Sequence, residues 1–276
     1  MSHLVQLREQ IKAVQTTKKI THAVRLVSMS MYAKLEKLTA PHKSYLESIA
    51  NFFMTLLERQ PAWQHPVFNT DDILDAHPLF IIIATSKGLC GSLNSNLFRF
   101  LEQTIFPRPH QKPEFIVLGQ RGIRYIKERS WGDVVYAYPE LNSNNYTTIA
   151  EDIVDRIVNS NKHYSSVTFI GSRLQTFFHQ QPKKMCLLPL CKDKLDLFER
   201  DKTAAVPQQL FSEEFILEQP IDELLEATAI SYSYAFVFNV LFQAILTEHA
   251  ARFLAMDSST NNAEKYLEKL TLQYNK

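Results

Sequence analysis

Glycine and proline are spread so unevenly along this 276-residue chain that they divide it into three parts. Residues 1–60 hold no glycine and one proline, Pro41, and residues 221–276 hold neither. All six glycines and the other eleven prolines lie between Pro61 and Pro220. Inside a helix glycine costs about 1 kcal/mol and proline about 3 kcal/mol relative to alanine. Stretches without either favour long helices, and the stretch that holds them carries the turns. The spacing predicts helical ends at 1–60 and 220–276 around a turn-rich domain at 70–215.

Apolar residues recur at helical intervals in both ends. In the first, Leu4, Leu7, Ile11 and Val14 step by 3 and 4, skip Thr16-Thr17-Lys18-Lys19, and resume as Ile20, Val24, Val27, Met31, Leu35 and Leu38. Pro41 should break the helix locally, because its ring clashes with the carbonyl four residues back. Tyr45, Ile49, Phe52, Phe53, Leu56 and Leu57 continue the pattern as far as Pro61. The last part opens with Pro220, suited to a first helical position, and with Asp222 and Glu223 at the positive end of the helix dipole. From Leu246 a second seam runs through His249, Phe253, Met256, Thr260, Ala263, Leu267, Leu270 and Tyr274 in alternating steps of 3 and 4. That period calls for a coiled-coil partner, and the N-terminal helix is the nearest candidate. At 1.5 Å per residue each helix reaches roughly 80 Å, whereas a domain of about 150 residues has a radius of gyration of ~15 Å. The pair must project from the domain.

The middle alternates between buried strands and helices. Strands are expected at Leu79–Ala84, Phe115–Leu118, Val134–Ala137 and Val167–Ile170, with a weaker one at Met185–Leu190. Helices are expected at Asn94–Gln103, Gln120–Arg129 and Thr148–Ser160. The fold class is α/β: a Rossmann-like domain with a mostly parallel sheet, joined to a long antiparallel two-helix coiled coil formed by both termini.

Charge and cysteine content narrow the partners. The net charge of +1 gives no overall field toward nucleic acid or a membrane. Residues 1–43, however, carry eight basic side chains against two acidic ones, a local +6. A segment of this kind is either a solvated face or a docking surface for an acidic partner, and both readings stay open. Cys90, Cys186 and Cys191 are odd in number and read as reduced thiols. The longest unbroken apolar run is far below the roughly 18 residues that span a bilayer, and the N-terminus lacks a signal pattern. Membrane contact is therefore expected only through a partner.

The stretch TSKGLCGSLNSN (residues 85–96) follows the first strand and resembles a phosphate-binding turn in its layout. Its spacing is G-x-x-G, with Lys87 ahead of both glycines, and fits neither a dinucleotide fingerprint nor a P-loop. Gly88 and Gly91 are read as structural, letting the chain turn sharply. Glu248-His249 has no second histidine four residues on, no zinc pattern is present, and no G-x-S-x-G elbow occurs. Asp71-Asp72 and Glu213-Glu214 read as solvated loops. Tyr232, Tyr234, Phe236, Phe238 and Phe242 read as helix surface buried against the domain. No catalytic residue, metal or cofactor is expected. Residue chemistry points to a rod on an α/β base, a mechanical or scaffolding element.

Three blocks carry a family resemblance. They are IKAVQTTKKITHAVRLVSMSMYAKL (11–35), TSKGLCGSLNSN (85–96) and LTEHAARFLAMDSSTNNAEKYLEKLTLQYNK (246–276), with a weaker match in LLPL (187–190). In this order they resemble the gamma subunit of F-type ATP synthase. The resemblance implies a non-catalytic central shaft whose helical pair turns inside a hexamer of alpha and beta subunits. Its α/β foot would sit beside epsilon on the ring of c subunits. It also implies that Thr16, Thr17, Lys18, Lys19, Arg25, Arg252, Asp257 and Tyr274 meet the hexamer, and that Glu218 faces epsilon and the c ring. The implied location is the cytoplasmic face of a bacterial inner membrane, with an organelle form as the alternative; no nucleic acid partner is implied. Departures are visible. The family usually has Met at 24 and Lys at 31, where this chain has Val24 and Met31, so a basic contact with beta is missing. The family also continues past Tyr274-Asn275-Lys276 with an Arg-Gln pair and further turns. A rotor with a shorter shaft, a divergent homologue with altered coupling and a shortened chain all stay open. So do a gamma-like regulatory or assembly protein and a small nucleotide-binding protein.

Overall fold

The computed structural model describes residues 2–65, 67–68, 77–104, 113–159, 164–190 and 217–275. Asp71, Asp72, Cys191, Glu213 and Glu214 lie outside the described residues.

The breaker-free ends are helical. The N-terminal part forms α1 (Ser2–Glu36) and α2 (Thr39–Arg59). The break at Lys37-Leu38 is the one Pro41 demands: its ring sits in the first turn of α2, where the missing N–H has no intrahelical partner to lose. The middle forms a five-stranded sheet of β1 (His77–Ile83), β2 (Glu114–Leu118), β3 (Asp133–Tyr138), β4 (Tyr164–Thr176) and β5 (His179–Leu188). Between them run α3 (Leu93–Thr104), α4 (Gln120–Arg129) and α5 (Tyr146–Val158). The final helix, α6 (Ile221–Tyr274), is 54 residues long.

The strand order is β3-β2-β1-β4-β5, parallel except for β5. Winding runs outward from β1 to β3 and then jumps back to β4. Right-handed crossovers therefore place α3 and α4 on one face and α5 on the other. The period-2 alternation of the strands feeds both faces. Ile82, Phe115, Val117 and Ile170 pack with Leu97, Leu101, Ile123 and Ile126 of α3 and α4. Leu79, Ile81, Ile83, Ile116, Leu118, Val167 and Phe169 pack with α5, α2 and the lower half of α6. The aromatic run of α6 behaves as expected: Tyr232, Phe236 and Phe242 are buried, and Tyr234 and Phe238 are packed at the margin. By length and composition α6 is apolar enough to cross a bilayer, a test that the unbroken-run criterion missed, but 67% of the qualifying window is buried inside the protein. It is the core helix of the domain.

Two strands exceed the sequence reading. β4 continues past Ile170 to Thr176 and returns as β5 from His179. The extension alternates polar residues beyond the main core, so no apolar run marks it. Pro182, Lys183 and Lys184 on β5 are the residues that protect an edge strand.

The seam of α1 corrects the sequence reading more deeply. Leu7, Thr21, Ser28, Tyr32 and Leu35 are buried, with Ile11, Val14, Lys18 and Arg25 half-buried among them. These positions step by 4 and 3 without a gap. Leu4, Ile20, Val27 and Leu38 instead lie 53, 57, 63 and 41% exposed. Counting apolar residues selects the wrong face here, because the true seam is polar at its centre and is met by polar groups on α6.

Candidate functional site

The upper half of α6 and most of α1 form an antiparallel pair. Three crossings fix the direction: Lys18 Nζ to Glu264 Oε1 at 2.6 Å, Thr260 to Thr21 at 2.9 Å, and Arg25 Nη1 to Asp257 Oδ1 at 2.7 Å. Numbers rise along one helix as they fall along the other. Toward the far end Leu7 of α1 and Leu270 of α6 are both buried. The predicted α6 seam is the observed one, with Met256, Thr260 and Leu270 buried and Phe253, Ala263 and Leu267 half-buried. Tyr274, in the last turn, is 40% exposed.

The centre of the pair is a hydrogen-bonded relay. The Thr260 and Thr21 hydroxyls share a hydrogen bond at 2.9 Å, and each also reaches a carbonyl of its own helix, Thr260 that of Met256 at 2.7 Å and Thr21 that of Lys18 at 3.1 Å. Ser28 donates to its own helix at the Val24 carbonyl, 2.8 Å away. These hydroxyls are satisfied, so burying them carries no unpaired-group penalty. The two flanking ion pairs are partly solvated and contribute only about 0.2–1 kcal/mol each. Their value is in register: a polar group inside an otherwise apolar seam fixes which residues face each other.

Each predicted contact residue has a definite place. Thr16 and Thr17 are exposed and donate to the Lys12 and Ala13 carbonyls of their own helix. Lys18, Arg25 and Asp257 belong to the cross-helix pairs, and Arg25 also donates to His22 Nδ1 at 3.1 Å. Lys19 is exposed. Glu218 is exposed just ahead of α6. Arg252 is held within the chain by Glu248, one turn away on α6.

Arg252 and Glu248 mark the seat where α6 leaves the sheet. In a doubly wound sheet the ligand crevice lies where strand order reverses, here between the C-terminal ends of β1 and β4. That crevice is lined by Thr85, Asn94, Leu141 and Ser172, and is closed by Ala244 and Glu248 of α6. The glycine turn is tied down beneath the helix. Asn94 donates to Thr85 Oγ1 at 2.7 Å, Thr85 donates to the Lys87 carbonyl at 2.8 Å, and Ser86 Oγ accepts from the Leu141 amide at 3.0 Å. Cys90 packs with Leu93 and Ala251, and Arg252 Nε reaches the Gly88 carbonyl at 3.5 Å. Gly91, at φ +58°, stands where an added Cβ would touch Ala255 of α6 at 3.5 Å. The crevice that takes a phosphate in other folds of this class is occupied by a helix carrying a carboxylate. Burial pushes the Glu248 carboxyl up, and the Arg252 guanidinium and Lys87 pull it back. Burial pushes the Cys90 thiol up to about 11, away from the reactive thiolate. The E-H-A-A-R spacing places Glu248 and Arg252 four apart, a helical pairing that the sequence displayed and that motif searching passed over.

His249 sits beside this pair, and burial, with Arg252 second, pulls its imidazole down to about 4. The native chain thus holds it neutral while the unfolded chain protonates it near 6.5. The unfolded state binds the extra proton between those values, so stability is present above pH 6.5 and lost as pH falls toward 4. From this one group the loss is about 1.4 kcal/mol per pH unit. A His249→Gln variant is expected to hold its urea midpoint better than the parent between about pH 7 and pH 5. Equal declines in both proteins would contradict that account.

Among the described residues no group of three or more His, Cys, Asp or Glu is placed to hold a metal. Comparison with known proteins follows the same lines as the geometry. The ATP synthase gamma chain of Cupriavidus metallidurans is 27% identical over 283 residues, covering 100% of this chain and 93% of that one. The gamma chain of Rickettsia typhi is 28% identical, covering 100% and 93%. A chain in a cryo-EM structure of the Euglena gracilis mitochondrial ATP synthase rotor shares the fold at a TM-score of 0.64, with 15% identity and coverage of 99% and 96%. One from the Tetrahymena thermophila central stalk and c-ring structure gives 0.52, with 19% identity and coverage of 87% and 98%. The family model described as ATP synthase matches residues 3–276. The projecting pair, the seat beneath it and the full-length match lead to one conclusion: the chain belongs to the ATP synthase family, among its gamma chains.

Proposed function

We propose that this chain is the central-stalk rotor subunit of an F-type ATP synthase, coupling proton-driven rotation of the c ring to conformational change at catalytic sites on alpha and beta. The observation that carries the reading is the pair itself. Above the seat, residues 256–274 of α6 have α1 as their partner and leave the sheet behind, which forms an off-centre axle on a base. The outer face of α1, with Leu4, Ile20, Leu26 and Val27 exposed, is the face offered to a surrounding sleeve. Thr16, Thr17 and Lys19 are exposed on α1 and Tyr274 on the last turn of α6, and all four are assigned to transient contacts with the hexamer. Lys18, Arg25 and Asp257 are assigned there at the margins of their own ion pairs, and Arg252 at the seat. Glu218, below α6, is assigned to epsilon and the c ring. The chain performs no chemistry of its own and works at the cytoplasmic face of the membrane, reaching the bilayer only through the complex.

The reading is tested by co-expression with alpha and beta subunits. The expected result is a stable complex that hydrolyses ATP, with no hydrolysis by the isolated chain. Recovery of the chain alone, from cells that hold both subunits, would sink the assignment.

A further inference from the structure

The β4–β5 hairpin outgrows the sheet it belongs to. β1 pairs with β4 only as far as Gly171, beside Ile83. From Ser172 to Thr176, β4 pairs with β5 alone. At the tip, Gln180 Nε2 closes the turn on the Phe177 carbonyl at 2.7 Å. The Phe177 ring meets Tyr32 of α1 nearly edge-on, at 4.8 Å between centroids, and Phe253 of α6 at 5.5 Å. Tyr32 is buried and donates its hydroxyl to Glu36, in the last turn before the α1–α2 break. Phe178 covers the outer side of Phe177 at 5.3 Å and is itself 72% exposed. A single ring from the sheet thus stands against both helices at the level where they leave the core. Among the described residues α1 packs chiefly on α6, and the hairpin tip adds a direct hold of the sheet on α1 through Phe177 and Tyr32.

We propose that Phe177 is a positioning residue that locks the helical pair to its base, so that rotation of the sheet domain turns α1 and α6 together. The inference rests on the rotor reading above. Without the ring, α1 would be braced by α6 and by the packing of Leu35 into the core, and torque would be absorbed by bending at the Lys37-Leu38 break. Close-packed side chains resist compression and transmit strain, and an unpacked joint does not. Phe178 shields the joint from water and holds neither helix.

The test uses the full chain assembled with alpha and beta subunits, the hexamer fixed to a surface and a bead attached to the sheet domain. The readouts are the variance of the bead angle at rest and the ATP hydrolysis rate. Phe177→Ala is expected to raise the variance about 1.5-fold, since one of three braces is gone and α6 and the core packing of Leu35 remain, while hydrolysis continues. Phe177→Tyr is expected to restore the parent value, and Phe178→Ala to keep it. Parental variance in an assembled Phe177→Ala complex would overturn the proposal, as would an equal rise in Phe178→Ala. If Phe177→Ala fails to assemble, Phe177→Leu, which keeps bulk without a ring, decides by the same two results. A parent chain that does not assemble fails the rotor reading instead, so the two failures are distinct.

Discussion

A Gly119→Ala variant is expected to lose about 3 kcal/mol or more of folding stability and to accumulate poorly as soluble protein. Gly119 joins β2 to α4 at φ +88°, a backbone region that side chains strongly disfavour. Its amide donates to the Tyr138 carbonyl at 2.8 Å, so it also ties β2 to the end of β3. An added Cβ would stand 2.2 Å from the Ala84 carbonyl oxygen and 2.7 Å from its carbon. Both are backbone atoms of the turn after β1 and cannot swing aside like a flexible side chain. Relief would require moving β1 against β2 at the centre of the sheet. Gly91 provides the internal comparison: its φ is also positive, but an added methyl meets only Ala255 at ordinary contact distance. Gly91→Ala is expected to cost about 1–2 kcal/mol, the price of the left-handed conformation alone. Urea unfolding of the two variants should rank them in this order, and a Gly119→Ala midpoint equal to that of Gly91→Ala would refute the steric argument.

Arg252→Ala is expected to be the most damaging single change on the helical pair, at about 3–5 kcal/mol, because it strands a buried carboxylate. Glu248 lies on α6 against the crevice wall, and its chief compensation is the Arg252 guanidinium. Removing both charges should be milder than removing one, so Glu248→Gln in the Arg252→Ala background is expected to recover most of the loss. The sign of the pH dependence follows. Burial already raises the native Glu248 pKa above its unfolded value, and without Arg252 it rises further. The native variant then binds a proton more readily than its unfolded chain, so the variant gains stability as pH falls from neutrality toward the ordinary carboxylate range. Urea midpoints of parent and variant should converge over that interval. A gap that stays constant, or widens, would show that Arg252 acts through packing alone.

Legibility from sequence followed the physical signal available at each element. The absence of glycine and proline exposed α1, α2 and α6, and Pro41 placed the break between the first two. Strands buried on both faces, such as LFIII in β1, announced themselves as apolar runs. The hairpin tip did not, because Gln175, Thr176, His179 and Gln180 alternate outside the main core, and Phe177-Phe178 reads in isolation as a stray apolar pair. The α1 seam was misplaced by one position over Ile20 and Val27. Hydrophobicity reports burial against apolar neighbours, whereas Thr21 is buried against a hydroxyl, Ser28 is buried on a carbonyl of its own helix, and Lys18 and Arg25 are half-buried against carboxylates. Their 3-and-4 spacing was present in the sequence, yet only the facing residues of α6, 232 to 246 positions away, give it meaning. The glycine turn was legible as a turn; its closure by Glu248 and Arg252 depends on a helix from the far end of the chain.

The Thr21–Thr260 bridge has a mechanical consequence. Sliding one helix along the other by a heptad, about 10 Å, would part those hydroxyls and both flanking ion pairs at once, leaving each hydroxyl only a carbonyl of its own helix. Side-to-side flexing leaves all of them intact. A strut stitched in this way tolerates bowing under load while keeping its two strands from telescoping, which is the behaviour wanted from a part that is twisted repeatedly and must return to the same length.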